Sequence, residues 1–218
     1  DRNLGLFGNF NRCLELARGT YLRFLCSDDV LAAGCLRREV AMMDAHPGVA
    51  LLSTRYRKVD ASGHDRGYAA NLFPPGIYPG EASIPAVLWC LAHHSSNPLN
   101  YPSGVLLRAE STRAAGQFDT SYRMTGDVDF SLRILRRGDL AVLDAVGCEI
   151  TAHGAMESAR LVGDACRDRE IYRLMVQYRA LFADPAAFDR AVEELSGHAA
   201  AACIKYAVMG QWDAARAH

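Results

Sequence analysis

Phe7, Phe10, Leu14 and Ala17 recur at helical spacing, which predicts a helix with one apolar face and with Gly19 as its left-handed C-terminal cap. The stretch that follows, "TYLRFLC", is an apolar run rich in aromatic and branched residues, too short for a helix and closed by the adjacent pair Asp28 and Asp29. It reads as a strand buried on both faces. Helical periodicity returns from Leu31 to Ala45, "HPG" breaks it, and "VALLST" forms a second buried strand. This alternation predicts an α/β fold with a mostly parallel sheet flanked by crossover helices.

From Asp60 to Pro85 the chain is rich in Gly, Pro, Asn and Ser and is predicted to be mostly loop. A second loop, "HHSSNPLNYPSG", leads into a short strand, "VLLR", and then a brief helix stopped by Gly116. In "DVDFSLRILRRG" the apolar spacing is helical, and Asp127 and Asp129 fall in the first turn, where carboxylates complement the helix dipole. Two strands, "LAVLD" and "CEITA", lead to His153. Beyond about Glu157 the pattern is helical to the end, broken at "ADPAAF".

Composition narrows the class without naming a chemistry. Half of the 218 residues are hydrophobic, 22% are charged and the formal net charge is -1, so no bulk positive charge points to nucleic acid. The seven cysteines lack any C-x-x-C spacing and read as reduced, buried thiols, which implies a cytoplasmic protein. No window approaches the ~20 apolar residues of a membrane span.

In an open α/β sheet, ligands bind beyond the carboxyl ends of the strands, where Asp28 and Asp29 are predicted to sit. Paired carboxylates suit a hard divalent cation whose shell is completed by substrate phosphates. A polar strand end, or a helix cap at Asp29, would serve the same residues.

"NLGLFGNFNRCLELARGTYLRFLCSDDVL", followed by "HPGVALLSTRYRKVDASG", resembles the family 2 inverting glycosyltransferases with the GT-A (Rossmann-like) fold. The resemblance implies that Asp28 meets the ribose side of a sugar nucleotide and that Asp29 coordinates a divalent cation, Mn2+ or Mg2+, bridging the diphosphate. It also places Asn3, Gly5 and Asn11 beside the nucleotide, with turn, capping or core roles left open for each. Cys26 stands where many members carry Asp. A hard cation prefers oxygen to sulfur, so Cys26 reads as a core residue and a metal-independent variant stays open.

"MTGDVDFSLRILRRGD" looks like the family's "E-D-x-D-L-x-x-R" segment, with Gly126 in place of the frequent Glu and Asp127 at the catalytic-base position. Inversion needs such a base opposite the leaving diphosphate, to take the acceptor hydroxyl's proton. Asp129 reads as structural, with Arg133 paired to one of the two carboxylates. "EITAHGAMES" resembles the "Y-R-x-H-x-x-S" ending, which would bring His153 to the metal or the diphosphate; a satisfied structural histidine is the other reading. His93 and His94 lack a spaced partner and read as part of a loop lining the acceptor pocket. "NYPSG" falls where the family shapes its acceptor site, with Ser103 and Gly104 as candidate contacts.

The resemblance divides the chain into a partial GT-A catalytic domain over residues 1–156 and a helical extension over 157–218. The family's opening strand-helix-strand unit, roughly 30 residues or more, is not seen before Asp1, and a longer native protein is expected. Implied partners are a nucleoside diphosphate sugar and a glycan, lipid-linked or protein acceptor, in bacterial polysaccharide synthesis at or near the inner face of the membrane, with peripheral membrane association open. Two other classes fit the same residues: a non-catalytic protein that binds nucleotide sugars or glycans, and a nucleotidyltransferase built on the same sheet.

Overall fold

A computed structural model describes residues 3–69, 72–94, 97–100, 102–154 and 166–209. The strands are β1 (Tyr21–Leu22), β2 (Val30–Leu31), β3 (Val49–Asp60), β4 (Asp65–Tyr68), β5 (Gly76–Tyr78), β6 (Val105–Arg108) and β7 (Asp139–Ala152). The helices are α1 (Gly5–Leu16), α2 (Cys35–Ala45), α3 (Gly80–His94), α4 (Ala109–Ala115), α5 (Gly126–Leu135), α6 (Cys166–Gln177) and α7 (Pro185–Val208). The sheet runs β1-β6-β3-β7-β2, with β4 added to β3 and β5 to β7.

The sheet is mixed rather than mostly parallel. Among the described strands only β3 and β7 pair in parallel; β1 with β6, β2 with β7, β3 with β4, β3 with β6 and β5 with β7 are antiparallel. A parallel neighbour needs a long crossover, and α3 to α5 supply one between β3 and β7. The connection from β3 to β4 is instead a tight turn. There Oδ1 of Asp60 accepts the amides of Ser62 and His64 at 2.9 and 3.0 Å and sends the chain back on itself.

The segment from 60 to 85, expected as loop, therefore carries β4, β5 and the start of α3. β3 also outlasts its apolar run, because its polar half is held by cross-strand pairs. Arg57 lies opposite Glu149 in register, with the two side chains 2.5 Å apart, and Arg55 meets Asp144 at 2.9 Å. "LAVLD" and "CEITA" are one strand, with register shifts opposite Thr54 to Tyr56 that absorb the residues between them.

"TYLRFLC" shortens in the other direction. Only Tyr21 and Leu22 pair, and the run is half-buried. Its one charged residue, Arg23, turns inward onto Glu39 of α2 and donates to the Ser103 carbonyl at 2.8 Å, which draws the backbone off the ladder. Helix α1 ends in extended backbone at Ala17, with no left-handed residue at Gly19. Gly116, at φ 86, does stop α4 as expected.

Adjacent sheet residues face opposite layers, as a period of two requires. Leu51, Leu107 and Leu140 join the larger core with α1, α3 and α5, while Leu52, Leu106 and Ala141 pack with Met43 of α2 on the other side. Ile171, Leu174 and Met175 of α6 and Phe188 and Leu195 of α7 belong to that same larger core. The expected boundary at residues 156 and 157 lies outside the described residues. Of the cysteines, all free, Cys35, Cys148 and Cys166 are buried, Cys13 is exposed and the other three are intermediate. No helix among the described residues is long and apolar enough to cross a membrane.

Candidate functional site

The segment after β1 leaves the sheet and delivers Cys26, Asp28 and Asp29 to the mouth of a cleft of about 940 Å³. One wall is apolar, from α1 and the segment after it; the other carries Asp28, Asp29, Arg123 and Asp127. Asp127 stands in the first turn of α5. Two chain segments about a hundred residues apart thus present carboxylates to one space.

Each carboxylate has its own support. Oδ2 of Asp29 accepts the Ser103 hydroxyl at 2.6 Å, and Oδ1 accepts the Thr151 amide at 3.3 Å. Burial raises its proton affinity above the ordinary carboxylate value; those two hydrogen bonds oppose the rise, the Asp28 charge adds to it and His153 opposes it. Asp28 accepts through its backbone carbonyl the Thr151 hydroxyl at 2.6 Å, and its Oδ2 lies 2.9 Å from Nε2 of His153. His153 therefore meets Asp28 rather than Asp29.

Oδ2 of Asp127 accepts Nδ2 of Asn97 at 3.0 Å. Burial pushes this carboxyl up to about 6, against the hydrogen bonds from the Val128 amide and Asn97. A carboxylate tuned toward neutrality in a cleft is suited to exchanging a proton with a substrate. Asp129, two residues on, is buried and receives Arg133 at 2.8 Å, so it anchors α5 and leaves Asp127 free of that arginine.

The donor atoms of Cys26, Asp28 and Asp29 lie within 4.8 Å of one another, a metal-capable group among the described residues. The two oxygen donors fit a hard divalent cation. The thiol does not fit. Burial pushes the Cys26 thiol up, keeping it protonated and a poor ligand.

The remaining expected residues lie around this site in other roles. Ser103 is fully buried: its hydroxyl accepts the Cys26 amide at 3.1 Å and donates to Asp29, so it stands behind the carboxylate. Gly104 is buried beside it, with its carbonyl accepting the Thr54 hydroxyl at 2.9 Å. Asn11 uses both amide atoms on the Phe118 backbone, at 3.0 and 2.7 Å, tying α1 to the approach to α5. Asn3 accepts the Gly5 amide at 2.8 Å at the exposed start of α1, where Gly5 takes φ 72.

His93 and His94 are not in a loop but in the last turn of α3. There His93 stacks on Trp89 at 4.7 Å and lies 3.4 Å from Glu194 of α7. Gly126 stands where the resemblance has Glu because the Phe7 ring fills the space: a Cβ there would lie 2.6 Å from Phe7 Cε2. Ser158 lies outside the described residues.

Asn97, Thr151 and Glu170 were not anticipated. No spacing marks them, since each reaches the site through the fold. Asn97 and Thr151 hydrogen-bond the acidic residues themselves; Glu170, on α6, accepts the amides of Met124 and Thr125 just ahead of Asp127.

A curled, mixed α/β sheet with an acidic pair at the end of one segment and a carboxylate on a helix start across the cleft is a GT-A fold. Residues 1–87 match the family described as "Glycosyl transferase family 2". Among solved structures, S. aureus TarS 1-349 superposes with a TM-score of 0.56 at 19% identity over 88% of this chain and 51% of that one. S. aureus TarS superposes at 0.55 and 16%, over 85% and 29%. An uncharacterized Mycobacterium tuberculosis protein, MT1568, is 30% identical over 136 residues, 62% of this chain and 43% of that protein. The chain thus spans about half or less of the length of these relatives.

Proposed function

We propose that the protein containing this chain transfers a sugar from a nucleoside diphosphate sugar to an acceptor hydroxyl with inversion, in bacterial polysaccharide or glycan synthesis on the cytoplasmic side of the membrane. The observation that carries the reading is the placement of Asp127, a carboxylate held near neutrality, across one cleft from Asp28 and Asp29. The match of residues 1–87 to the glycosyl transferase family 2 model supports a nucleotide-sugar donor.

In this reading Asp29, with Asp28 alongside, would hold a Mn2+ or Mg2+ ion, which would supply positive charge at the departing diphosphate. Ser103 and the Thr151 amide hold Asp29 in place. Asp28, steadied by His153, takes the ribose side of the donor. Asp127 accepts the acceptor hydroxyl's proton as its oxygen attacks the anomeric carbon from the face opposite the diphosphate. Asn97 donates to Oδ2 of Asp127 and steadies the carboxylate that takes that proton.

The test is a transfer assay on the full-length protein with a panel of nucleoside diphosphate sugars, with Mn2+, with Mg2+ and with chelator. Asp127→Asn is expected to lose turnover and keep donor binding, whereas Asp29→Asn weakens metal-dependent donor binding. Wild-type turnover by Asp127→Asn would remove that residue from the mechanism, and release of pyrophosphate instead of a nucleoside diphosphate would move the protein to the nucleotidyltransferases.

A further inference from the structure

Glu170 lies outside the segment that matches the family, on α6, and its side chain is buried against the approach to α5. One carboxylate oxygen accepts the Arg123 amide at 2.6 Å. The other accepts the Met124 amide at 3.0 Å, the Thr125 amide at 2.8 Å and the Thr125 hydroxyl at 3.0 Å. Three consecutive backbone N–H groups converging on one anion form a nest, an arrangement that fixes the backbone supplying them.

The segment so fixed has one consequence for the site. Thr125 is the N-cap residue of α5, yet its hydroxyl makes no capping bond within the helix because it is given to Glu170. The start of α5 is thus set from outside, by α6. Asp127 follows Thr125 by two residues, and its carboxylate is held at the other end by Asn97. A packing role alone would call for an apolar residue here, like its neighbours Ile171 and Leu174, which are fully buried in the core.

We propose that Glu170 is a positioning residue for Asp127: it locks the backbone of residues 123–125 so that α5 begins with the Asp127 carboxylate aimed across the cleft at Asp28 and Asp29. The inference rests on the transferase reading for its effect on turnover, but not for its effect on Asp127 itself. Besides burial, the Glu170 charge contributes to the raised proton affinity of Asp127. The other titratable or charged groups lining the cleft with Asp127 are Asp28, Asp29, Cys26 and Arg123, with Cys13, Arg18, Tyr21 and Arg23 along the wall formed by α1 and the segment after it.

The experiment follows the Asp127 carboxyl by carbon NMR across a pH titration of the full-length protein, alongside kcat and donor KM, in wild type, Glu170→Gln, Glu170→Asp and Tyr172→Ala. Tyr172 is half exposed on the same helix and serves as the control. Glutamine turns one acceptor into a donor facing an N–H and removes the charge. Asp127 is then expected to titrate lower than in wild type, with kcat reduced roughly tenfold or more and donor KM held, since displacement of a catalytic group on this scale is felt in turnover.

Aspartate keeps the charge and draws the carboxylate back by one methylene, so it is expected to leave the titration closer to wild type while lowering kcat. It carries the test if the glutamine variant does not fold. Wild-type titration and turnover in Glu170→Gln, or wild-type turnover in Glu170→Asp where the glutamine variant is unfolded, would overturn the proposal and leave the transferase reading standing. A shifted titration in a protein that transfers no sugar would sustain the link from Glu170 to Asp127 and overturn the transferase reading.

Discussion

The Ser103 hydroxyl donates to Oδ2 of Asp29 at 2.6 Å while accepting the Cys26 amide at 3.1 Å, so one buried side chain joins both ends of the acidic turn. Ser103→Ala leaves the amide and one carboxylate oxygen without that partner. The expected outcome is a loss of about 1–3 kcal/mol in stability, read by denaturant unfolding, together with weaker Mn2+ and donor binding by calorimetry. Unchanged metal affinity would mean that Asp29 is held by Thr151 alone.

Asn97 sets a second expectation. Its Nδ2 bond to Asp127 lowers that carboxyl's proton affinity, while its Oδ1 accepts the Leu99 amide at 2.9 Å. Asn97→Asp keeps an acceptor for Leu99 and sets a second negative charge beside Asp127, which disfavours ionisation. The acidic limb of the kcat profile, expected near pH 6 in wild type, should move up by about one pH unit or more, with activity regained in alkaline buffer. A limb that stays put would uncouple the two side chains.

Asp127→Asn is expected to stabilise the fold even as it stops turnover. The carboxyl rises from 3.8 to about 6 in the folded chain, so the stability it lends is present below about pH 4 and is lost as pH climbs through 6. At pH 7.5 the ionised group weakens the native state. The variant should therefore gain about 1 kcal/mol there, a figure kept small because the side chain is only half-buried, and nothing at pH 4. Thermal melts at the two pH values check the sign.

Gly126→Ala tests the contact that distinguishes this chain from the family pattern. The new Cβ would meet the Phe7 ring, itself stacked on Phe118 at 5.7 Å, which in turn lies 4.0 Å from Phe130. Displacing that aromatic column should destabilise by about 1–3 kcal/mol. Phe7→Leu in the same chain should recover part of the loss; no recovery would place the strain elsewhere.

Much of the architecture was legible in the linear pattern. α1, α2 and α5 declare themselves by apolar spacing, α4 by the glycine that stops it, and the apolar cores of β3 and β6 by short branched runs, because local periodicity decides which face a residue presents. Asp28 and Asp29 stood out as adjacent carboxylates closing an apolar run, and Asp127 as a carboxylate in a helix's first turn whose proposed role came from the family resemblance. What the sequence could not determine is what depends on contacts between distant segments. The polar half of β3 is a strand because β7 lies on one side, with Glu149 opposite Arg57, and β4 on the other. In "TYLRFLC" the ladder ends at Leu22, where Arg23 turns in to Glu39 and the Ser103 carbonyl. Ser103, Asn97, Thr151 and Glu170 take their roles from the tertiary structure for the same reason: a hydrogen-bond partner is fixed by proximity in space, and spacing along the chain carries no record of it.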